Sequence, residues 1–354
     1  MNVSPLFRGR KAFEIQFNWI FVIIVGAIIL AFFITIVLRQ RDVSSNRETV
    51  TILDNLEQNL VSQKVSENRQ DVIRSRSPFL VGFSCDDLSV NDQRRGMGNA
   101  VMFGPSSVTA SEIFTLSHPW ELGFSITNFL YLSTPETLYY LIGDSVSTSK
   151  LKERLHDALT IKEATGVDDV EFNNEQTVRL IFVNYGDPPI LTMPSALEDV
   201  EDSRITALAI DDIDRPLGAA LTFYKKDGND FVKEELNSLS ITNPYPSLGS
   251  AAMIGAVYSD TLEQYACSMK NAAQRLAFVA SINAVRSANL EAYYSGTRND
   301  LCAAYHGSEP FMTLSEEVIS VTEGSGESAG VISTVNNLNN HNDQATLASC
   351  ARLY

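Results

Sequence analysis

The sequence predicts an α/β protein that starts with a transmembrane helix and a helical stalk. A layered, Rossmann-like α/β domain with a helical C-terminal part follows. Three observations support this fold class: residues 19–38 form an unbroken apolar run, strand and helix patterns alternate from about residue 137, and residues 261–294 show one long helical pattern. Alternating strands and helices are typical of layered α/β domains.

The apolar run from Trp19 to Leu38 carries no charge, and Thr35 is its only clearly polar side chain. A helix of this length is about 30 Å long and matches the hydrocarbon core of a bilayer. The alternative is a cleaved signal peptide, whose apolar region usually spans about 7–15 residues before a small-residue cleavage site. Because this run is longer and ends in Arg39-Gln40-Arg41, we expect a retained single-pass anchor in the lipid bilayer.

The chain beyond the anchor is strongly acidic and contains all four cysteines. The protein has 354 residues, and residues 42–354 hold 22 basic and 42 acidic side chains. This net charge of −20 argues against nucleic-acid binding. Basic residues flank both ends of the apolar run and do not fix its orientation. The short N-terminal segment and the four cysteines of the large domain favour a cytoplasmic N-terminus and an extracytoplasmic domain.

The leader at residues 8–18 reads RGRKAFEIQFN. A short basic leader with Gly9, and with Glu14 before the apolar helix, resembles the class III signal of type IV pilins and archaeal pilin-like membrane proteins. The resemblance covers about forty residues and implies cleavage after Gly9, a mature chain starting at Arg10, and Glu14 at the fifth mature position. It also implies like subunits or other envelope proteins as partners. The alternative role for Glu14 is an interfacial charge near the headgroups.

Local patterns divide the chain into five parts. Residues 1–18 are the cytoplasmic leader, residues 19–38 the transmembrane helix, residues 39–66 the helical stalk and residues 67–78 a polar linker, and residues 79–354 form the extracytoplasmic domain, helical from about residue 260. The stalk is predicted from the spacing of Leu53, Leu56 and Leu60, which places them on one face of a helix.

The domain shows a series of strand and helix patterns. Strands are predicted for short apolar runs between turn signals at 79–85, 100–103, 123–132, 137–144, 177–187, 205–212 and 218–226. Helices are predicted at 147–159, 230–239, 261–294, 301–305, 313–319, 331–338 and 345–353, with residues 336–342 leading into a loop. Asp260 and Glu263 have the spacing of a capping box before the long helix.

Aspartates at the ends of predicted strands are the candidate metal ligands. Asp144, Asp187, Asp211 and Asp260 each follow an apolar run. The carboxyl ends of parallel strands share one edge of a sheet, where ligands bind, and three converging carboxylates suit Mg²⁺ or Ca²⁺. The first three therefore form the candidate site. The alternative is that each aspartate caps a helix or starts a turn.

Other motifs give little support for catalysis. Residues 326–330 read GESAG, which matches the nucleophile elbow of serine hydrolases, but only His341 and Asp343 follow Ser328, in the wrong order for that family. No histidine pair has metal-binding spacing. We therefore expect no cofactor and a non-catalytic cell-envelope protein with a structural or adhesive role. The alternative is a membrane-tethered enzyme or ligand-binding domain that uses the aspartates.

The four cysteines predict two disulfides in an oxidising compartment. We expect Cys267 to pair with Cys302, which would attach the long helix to the segment after it. Cys85 would then pair with Cys350 and connect the start of the domain to the chain end. Four cysteines allow three connectivities, and four reduced thiols are the alternative.

Overall fold

The computed structural model describes residues 11–84, 87–91, 93–98, 100–172, 177–184, 193–236 and 244–354. The chain forms two compact units, Met1–Ile52 and Leu53–Tyr354. Each unit has its own internal contacts.

Helix α1 spans Lys11–Gln63, so the predicted anchor and most of the predicted stalk form one element. Its segment Phe21–Gln40 is long and apolar enough to cross a membrane, and none of it is buried inside the structure. From Leu53 onward the helix belongs to the second unit, where Leu56 and Leu60 are completely buried. The end of the predicted stalk is therefore part of the folded unit, because its apolar face packs into a core.

The first sheet contains six strands among the described residues, in the order β3-β2-β1-β5-β6-β4. They are β1 (Gln70–Phe83), β2 (Asp87–Val90), β3 (Gln93–Gly96), β4 (Val101–Phe103), β5 (Ser107–Leu122) and β6 (Phe124–Ser133). Its strand pairs are antiparallel, except that β4 and β6 run parallel.

The predicted linker at residues 67–78 is wrong for most of its length, because β1 begins at Gln70. Residues from Gln70 to Arg74 pair with the long strand β5, which the sequence analysis missed. The Nε of Arg74 lies 3.0 Å from a carboxylate oxygen of Glu112, its partner in the register. Pairing with a distant strand gives this polar segment a β conformation that its own composition does not predict.

The second sheet contains seven strands among the described residues, in the order β12-β11-β10-β9-β7-β8, with β13 paired to β11. They are β7 (Thr137–Gly143), β8 (Thr160–Ala164), β9 (Thr177–Val183), β10 (Ile205–Ile210), β11 (Leu217–Asp227), β12 (Asp230–Lys233) and β13 (Tyr245–Leu248). Strands β8, β7, β9 and β10 are parallel, and β11 is antiparallel to β10. The predicted α/β class is confirmed, whereas the helix predicted at residues 230–239 is wrong because β12 lies there.

The described residues of the second unit form six further α-helices: α2 (Ser145–Lys152), α3 (Ser250–Tyr258), α4 (Leu262–Gly296), α5 (Asp300–Ala303), α6 (Glu309–Thr322) and α7 (Ser328–Leu347). The long helix predicted at residues 261–294 is confirmed by α4. Helix α7 continues through residues 336–342, so the loop predicted after 338 is wrong, and residues 348–354 are not helical. The N-cap of α4 is Thr261, which accepts a hydrogen bond from the Gln264 amide, rather than Asp260.

Helix α3 is the centre of the core. Every residue from Ala251 to Tyr258 is buried, and the helix contacts strands of both sheets. A helix that is apolar on all sides is stable only when it is enclosed in this way. Gly255 permits the close approach, because a Cβ at this position would lie 2.8 Å from the ring of Phe103 in β4.

The observed disulfide corrects the predicted cysteine pairing. Cys302 in α5 bonds to Cys350, with their Cα atoms 5.6 Å apart. Cys267 is also disulfide-bonded, while Cys85 lies outside the described residues. Both predicted pairs are therefore wrong. Cys267 is 29 residues before the end of α4, which corresponds to about 44 Å along the helix, and Cys302 follows that end.

Candidate functional site

A buried arginine connects the second sheet to the C-terminus of α3. Arg179 lies on β9, and its side chain is only 1% exposed. Its guanidinium donates hydrogen bonds to the carbonyl oxygens of Ala256 at 2.9 Å, Asp260 at 3.1 Å and Val257 at 3.3 Å. Carbonyls at a helix C-terminus have no partner within the helix and carry partial negative charge. Arg179 satisfies these carbonyl groups from within the core.

Two carboxylate groups, those of Asp260 and Glu234, interact electrostatically with Arg179. An oxygen of Asp260 accepts hydrogen bonds from the backbone amide of Ser106 at 2.9 Å and from its hydroxyl at 3.3 Å. An oxygen of Glu234 accepts a hydrogen bond from the amide of Leu262, the first residue of α4, at 2.6 Å. The three ionisable groups come from positions 179, 234 and 260, and only the tertiary fold brings them together.

The two acids border a cavity of about 320 Å³ at the amino ends of the parallel strands. The first residues of β7, β9 and β10 line it, together with the loop before β5 and the end of β11. Hydroxyl-bearing residues are frequent in the wall: Ser106, Ser107, Thr137, Thr177, Ser203, Thr206 and Thr261. The Thr206 hydroxyl is buried and has no hydrogen-bond partner within the structure. We call this cavity, with Asp260 and Glu234, the amino-edge site.

Burial determines the protonation behaviour of the amino-edge site. It raises the pKa of Asp260, against the opposing effects of Arg179 and of the hydrogen bonds from Ser106. Burial also raises the pKa of Glu234, against the Leu262 amide and Arg179. The same loss of solvation lowers the pKa of Arg179, and the charge of Asp260 opposes that shift. Carboxyl groups with raised pKa values beside a cavity can exchange protons nearer to neutral pH than ordinary ones.

A second buried cation beside the cavity has a structural role. The ammonium group of Lys226 donates hydrogen bonds to the carbonyl oxygens of Leu197 and Glu198, each at 2.8 Å, and to that of Val200. Asp202 lies 3.6 Å from the same nitrogen. Because an ammonium group has three protons, these carbonyls occupy its donors, and Lys226 holds the segment before β10 in place.

Two of the predicted metal ligands, Asp144 and Asp211, follow the carboxyl ends of β7 and β10. Asp144 is the N-cap of α2, and one oxygen accepts hydrogen bonds from the amides of Val146 and Ser147, both at 3.0 Å. Hydrogen bonds from Ser147 are the main cause that lowers the pKa of Asp144. Asp211 follows β10, and its amide donates to the carbonyl of Ala220. Asp187, the third predicted ligand, lies outside the described residues.

No group of three or more His, Cys, Asp or Glu side chains suitable for a metal ion occurs within the described part of the chain. The capping alternative for Asp144 therefore agrees with its observed hydrogen bonds. The Mg²⁺ or Ca²⁺ site formed with Asp187 and Asp211 stays a prediction. Asp260 was grouped with these residues as a strand end, but it follows helix α3 and lies at the amino edge instead.

An asparagine connects the elements at this carboxyl edge. The side-chain amide of Asn184, which follows β9, donates to the Ser147 hydroxyl at 3.0 Å. Its side-chain oxygen accepts a hydrogen bond from the Ile213 amide at 3.1 Å. Asn184 has a φ of 50°, a left-handed conformation that asparagine tolerates better than most residues. One neutral side chain thus joins β9 to α2 and to the segment after β10.

The remaining candidates from the sequence have ordinary positions. Ser328 is the first residue of α7 and follows a helix and a turn, which is not the strand–turn–helix of a nucleophile elbow. Glu14 lies within α1, while Gly9 and Arg10 lie outside the described residues. His118 contacts the side chain of Asn68 at 2.6 Å, and burial lowers its pKa.

Sequence reasoning missed Arg179, Glu234 and Asn184. Of these three residues, only Arg179 has a sequence pattern that could have revealed its role. Arg179 is a charged residue inside the apolar run TVRLIFV at 177–183, at a position that alternates with Val178 and Leu180 and so faces the core formed with α3. A charge at a core-facing strand position indicates a buried polar network.

Comparisons of this chain with protein-family models, curated proteins and solved structures find no match.

Proposed function

We propose that this is a single-pass membrane protein with a cytoplasmic N-terminus and a folded extracytoplasmic unit that has a structural or adhesive role in the cell envelope. The observation that carries the proposal is the segment Phe21–Gln40 of α1, which is apolar and has no protein contacts to bury it. A helix that exposes an apolar run of this length is stable in lipid and unstable in water.

The disulfide supports the extracytoplasmic location of the folded unit. Cys302 and Cys350 are bonded, and Cys267 is bonded as well. Disulfides persist in oxidising compartments and are rare in the cytosol. The acidic surface, with a net charge of −20 beyond residue 41, suits solubility outside the membrane.

The proposal has two further parts. One is the structural or adhesive role, and the other is the pilin-like processing of the leader. The buried cations Arg179 and Lys226 are bound to backbone carbonyls, so they hold the fold together. The leader RGRKAFEIQFN supplies the resemblance to pilin-like signals. Under this proposal the mature chain starts at Arg10, and its partners are the lipid bilayer and other envelope subunits.

Cysteine labelling of intact cells tests the orientation. Leu347→Cys adds a thiol at an exposed position of α7, where Leu347 is 79% exposed. Lys11→Cys adds one before the apolar run, at a position that stays in the chain after cleavage at Gly9. A membrane-impermeant maleimide should label Leu347→Cys in intact cells and Lys11→Cys only after permeabilisation. The reverse pattern, or loss of both chains from the membrane fraction on carbonate washing, would refute the proposal. Mass spectrometry of the membrane fraction identifies the mature N-terminus.

A ligand-binding role is the second candidate, and the amino-edge site favours it. Its cavity combines two carboxyl groups of raised pKa with several hydroxyls. The melting temperature of the full-length protein in detergent, measured as Mg²⁺ or Ca²⁺ is added, distinguishes the two candidate sites. A cation-dependent shift lost in Asp144→Asn would place the ion at the predicted carboxyl-edge site. A shift lost only in Asp260→Asn would place it at the amino edge.

A further inference from the structure

Helix α4 has an exposed face with an unusual composition. Phe278, Ile282 and Val285 are 60%, 54% and 63% exposed, and their spacing of four and three residues places them in one row. The ten residues from Leu276 to Val285 contain no charge. The opposite face of α4 is buried against the core, so this row is not part of the fold of the single chain.

Helix α7 shows that this exposure is not general among the surface helices. Its exposed side carries asparagines, Asn336, Asn337, Asn339 and Asn340, and Leu347 is its one large apolar residue with high exposure. Rows of large apolar side chains on one helix mark interaction surfaces. The row on α4 therefore offers an interaction surface to a partner with a matching apolar surface.

The order of residues along α4 identifies that partner as a second copy of the same helix. The exposed row continues in both directions from its apolar centre: Lys270, Gln274, Phe278, Ser281, Ile282, Val285, Asn289 and Tyr293. Two antiparallel copies centred between Ser281 and Ile282 would place Phe278 against Val285 of the other copy. In the same register Gln274 meets Asn289, and Lys270 meets Tyr293.

Each of these pairs is chemically compatible. Phenyl and isopropyl groups bury apolar surface, and two side-chain amides can exchange hydrogen bonds. A lysine ammonium over a tyrosine ring gains a cation–π interaction. In this register Arg275 of one copy lies on the same flank as Arg286 of the other, about 3 Å away along the helix axes, so both side chains extend away from each other into solvent. The sequence of the row is thus self-complementary, as a twofold interface requires.

The charge distribution of this stretch of α4 differs from that of the whole chain. The chain as a whole carries a net charge of −16, so most surfaces of two copies repel each other. Between Glu263 and Glu291, however, α4 contains three basic residues and no acid. Two copies can approach through this face without opposing carboxylates.

We propose that two copies of this protein associate through α4, antiparallel, about a twofold axis that passes beside Ile282. The exposed row from Lys270 to Tyr293 spans about 35 Å of helix. The proposal depends only on the unit Leu53–Tyr354, so it goes beyond the envelope role proposed above and can fail or succeed independently of it.

Cysteine cross-linking of the full-length protein in detergent tests the interface and its register. Ile282→Cys lies beside the axis and should form a disulfide-linked dimer when oxidised with copper phenanthroline. Phe278→Cys and Val285→Cys should cross-link strongly only when the two variants are mixed, because each lies about 10 Å along the axis from its own copy. Leu347→Cys on α7 is the control and should stay monomeric. Equal cross-linking of Ile282→Cys and Leu347→Cys would overturn the proposal.

A charge substitution provides an independent measurement. Ile282→Glu places two carboxylates next to the axis, and we expect the dimer dissociation constant to rise at least about tenfold, as measured by light scattering of the detergent-solubilised protein. The matched control is Leu347→Glu, which should leave association unchanged. The melting temperature should change little in both variants, since both positions are exposed. A wild-type protein that is monomeric at all accessible concentrations would overturn the proposal.

Discussion

The two edges of the second sheet use acidic residues in different ways. At the carboxyl edge, Asp144 bonds to the amides of the helix that follows it in sequence. At the amino edge, Asp260 bonds to Ser106 of the first sheet's connecting segment, 154 residues away. The local contact lowers the pKa of Asp144, while enclosure raises the pKa of Asp260. An acidic residue at a strand end is thus weaker evidence for a site than one enclosed by distant segments.

The largest expected effect is at Arg179. Arg179→Met leaves the carbonyls of α3 unsatisfied and removes the cation beside Asp260 and Glu234, which should reduce the free energy of unfolding by about 3–5 kcal/mol. Urea unfolding followed by the fluorescence of the buried Trp120 measures it. The control is Arg215→Met near the carboxyl edge, where the arginine is 83% exposed and should contribute less than about 1 kcal/mol. Similar losses in both variants would contradict the assigned role.

A smaller loss is expected at Asn184. Asn184→Ala removes two side-chain hydrogen bonds and places an alanine at a φ of 50°. We expect a loss of about 2–3 kcal/mol in the same unfolding assay. Asn184→Gly keeps the backbone conformation accessible and should recover part of the loss, so the difference between the variants measures the strain. If alanine is tolerated as well as asparagine, the carboxyl edge does not depend on this residue.

The amino edge should also show a pH dependence of stability. Because the pKa of Glu234 is raised from its usual value of 4.5, the folded chain holds this proton more tightly than the unfolded chain. Its contribution to stability is therefore present below pH 4.5 and is lost as pH rises through the raised pKa. The side chain in Glu234→Gln cannot ionise, but its amide oxygen can still accept a hydrogen bond from the Leu262 amide.

The melting temperature of Glu234→Gln relative to wild type should therefore increase from pH 4.5 to pH 7. Thermal unfolding of both proteins across this range measures the trend. The exposed neighbour Glu235 supplies the control for the loss of a carboxylate, and the trend should be larger for Glu234→Gln than for Glu235→Gln. A constant difference for Glu234→Gln would mean that enclosure does not affect the Glu234 carboxyl group.

The smallest effect is expected at Asp144. Asparagine is as good an N-cap as aspartate, whereas alanine is poor. Asp144→Asn should therefore melt close to wild type and Asp144→Ala slightly below it. If Asp144 binds a metal ion, the melting temperatures of the two variants should follow a different order. Asparagine and alanine would then both weaken cation binding, because neither carries the carboxylate charge. Equal melting temperatures for both variants, together with loss of a Ca²⁺- or Mg²⁺-dependent shift, would favour the predicted metal site over the cap.

Local sequence patterns determined the elements with strong periodicity. The apolar run of α1, the strands β6, β7, β9 and β10, and the long helix α4 follow from hydrophobic spacing over neighbouring residues. Patterns of this kind depend on which side chains share a face, and the sequence contains that information. The mixed α/β class of the folded unit was predictable for the same reason.

The tertiary structure alone decided the strand character of residues 70–78, the pairing of Cys302 with Cys350, and the position of the candidate site. Residues 70–74 of β1 depend on hydrogen bonds to β5, about 38–46 residues later in the register. The disulfide depends on the rigid length of α4, which separates Cys267 from Cys302. Arg179, Glu234 and Asp260 meet because two sheets enclose α3, and burial, which perturbs their pKa values, exists only in the folded chain.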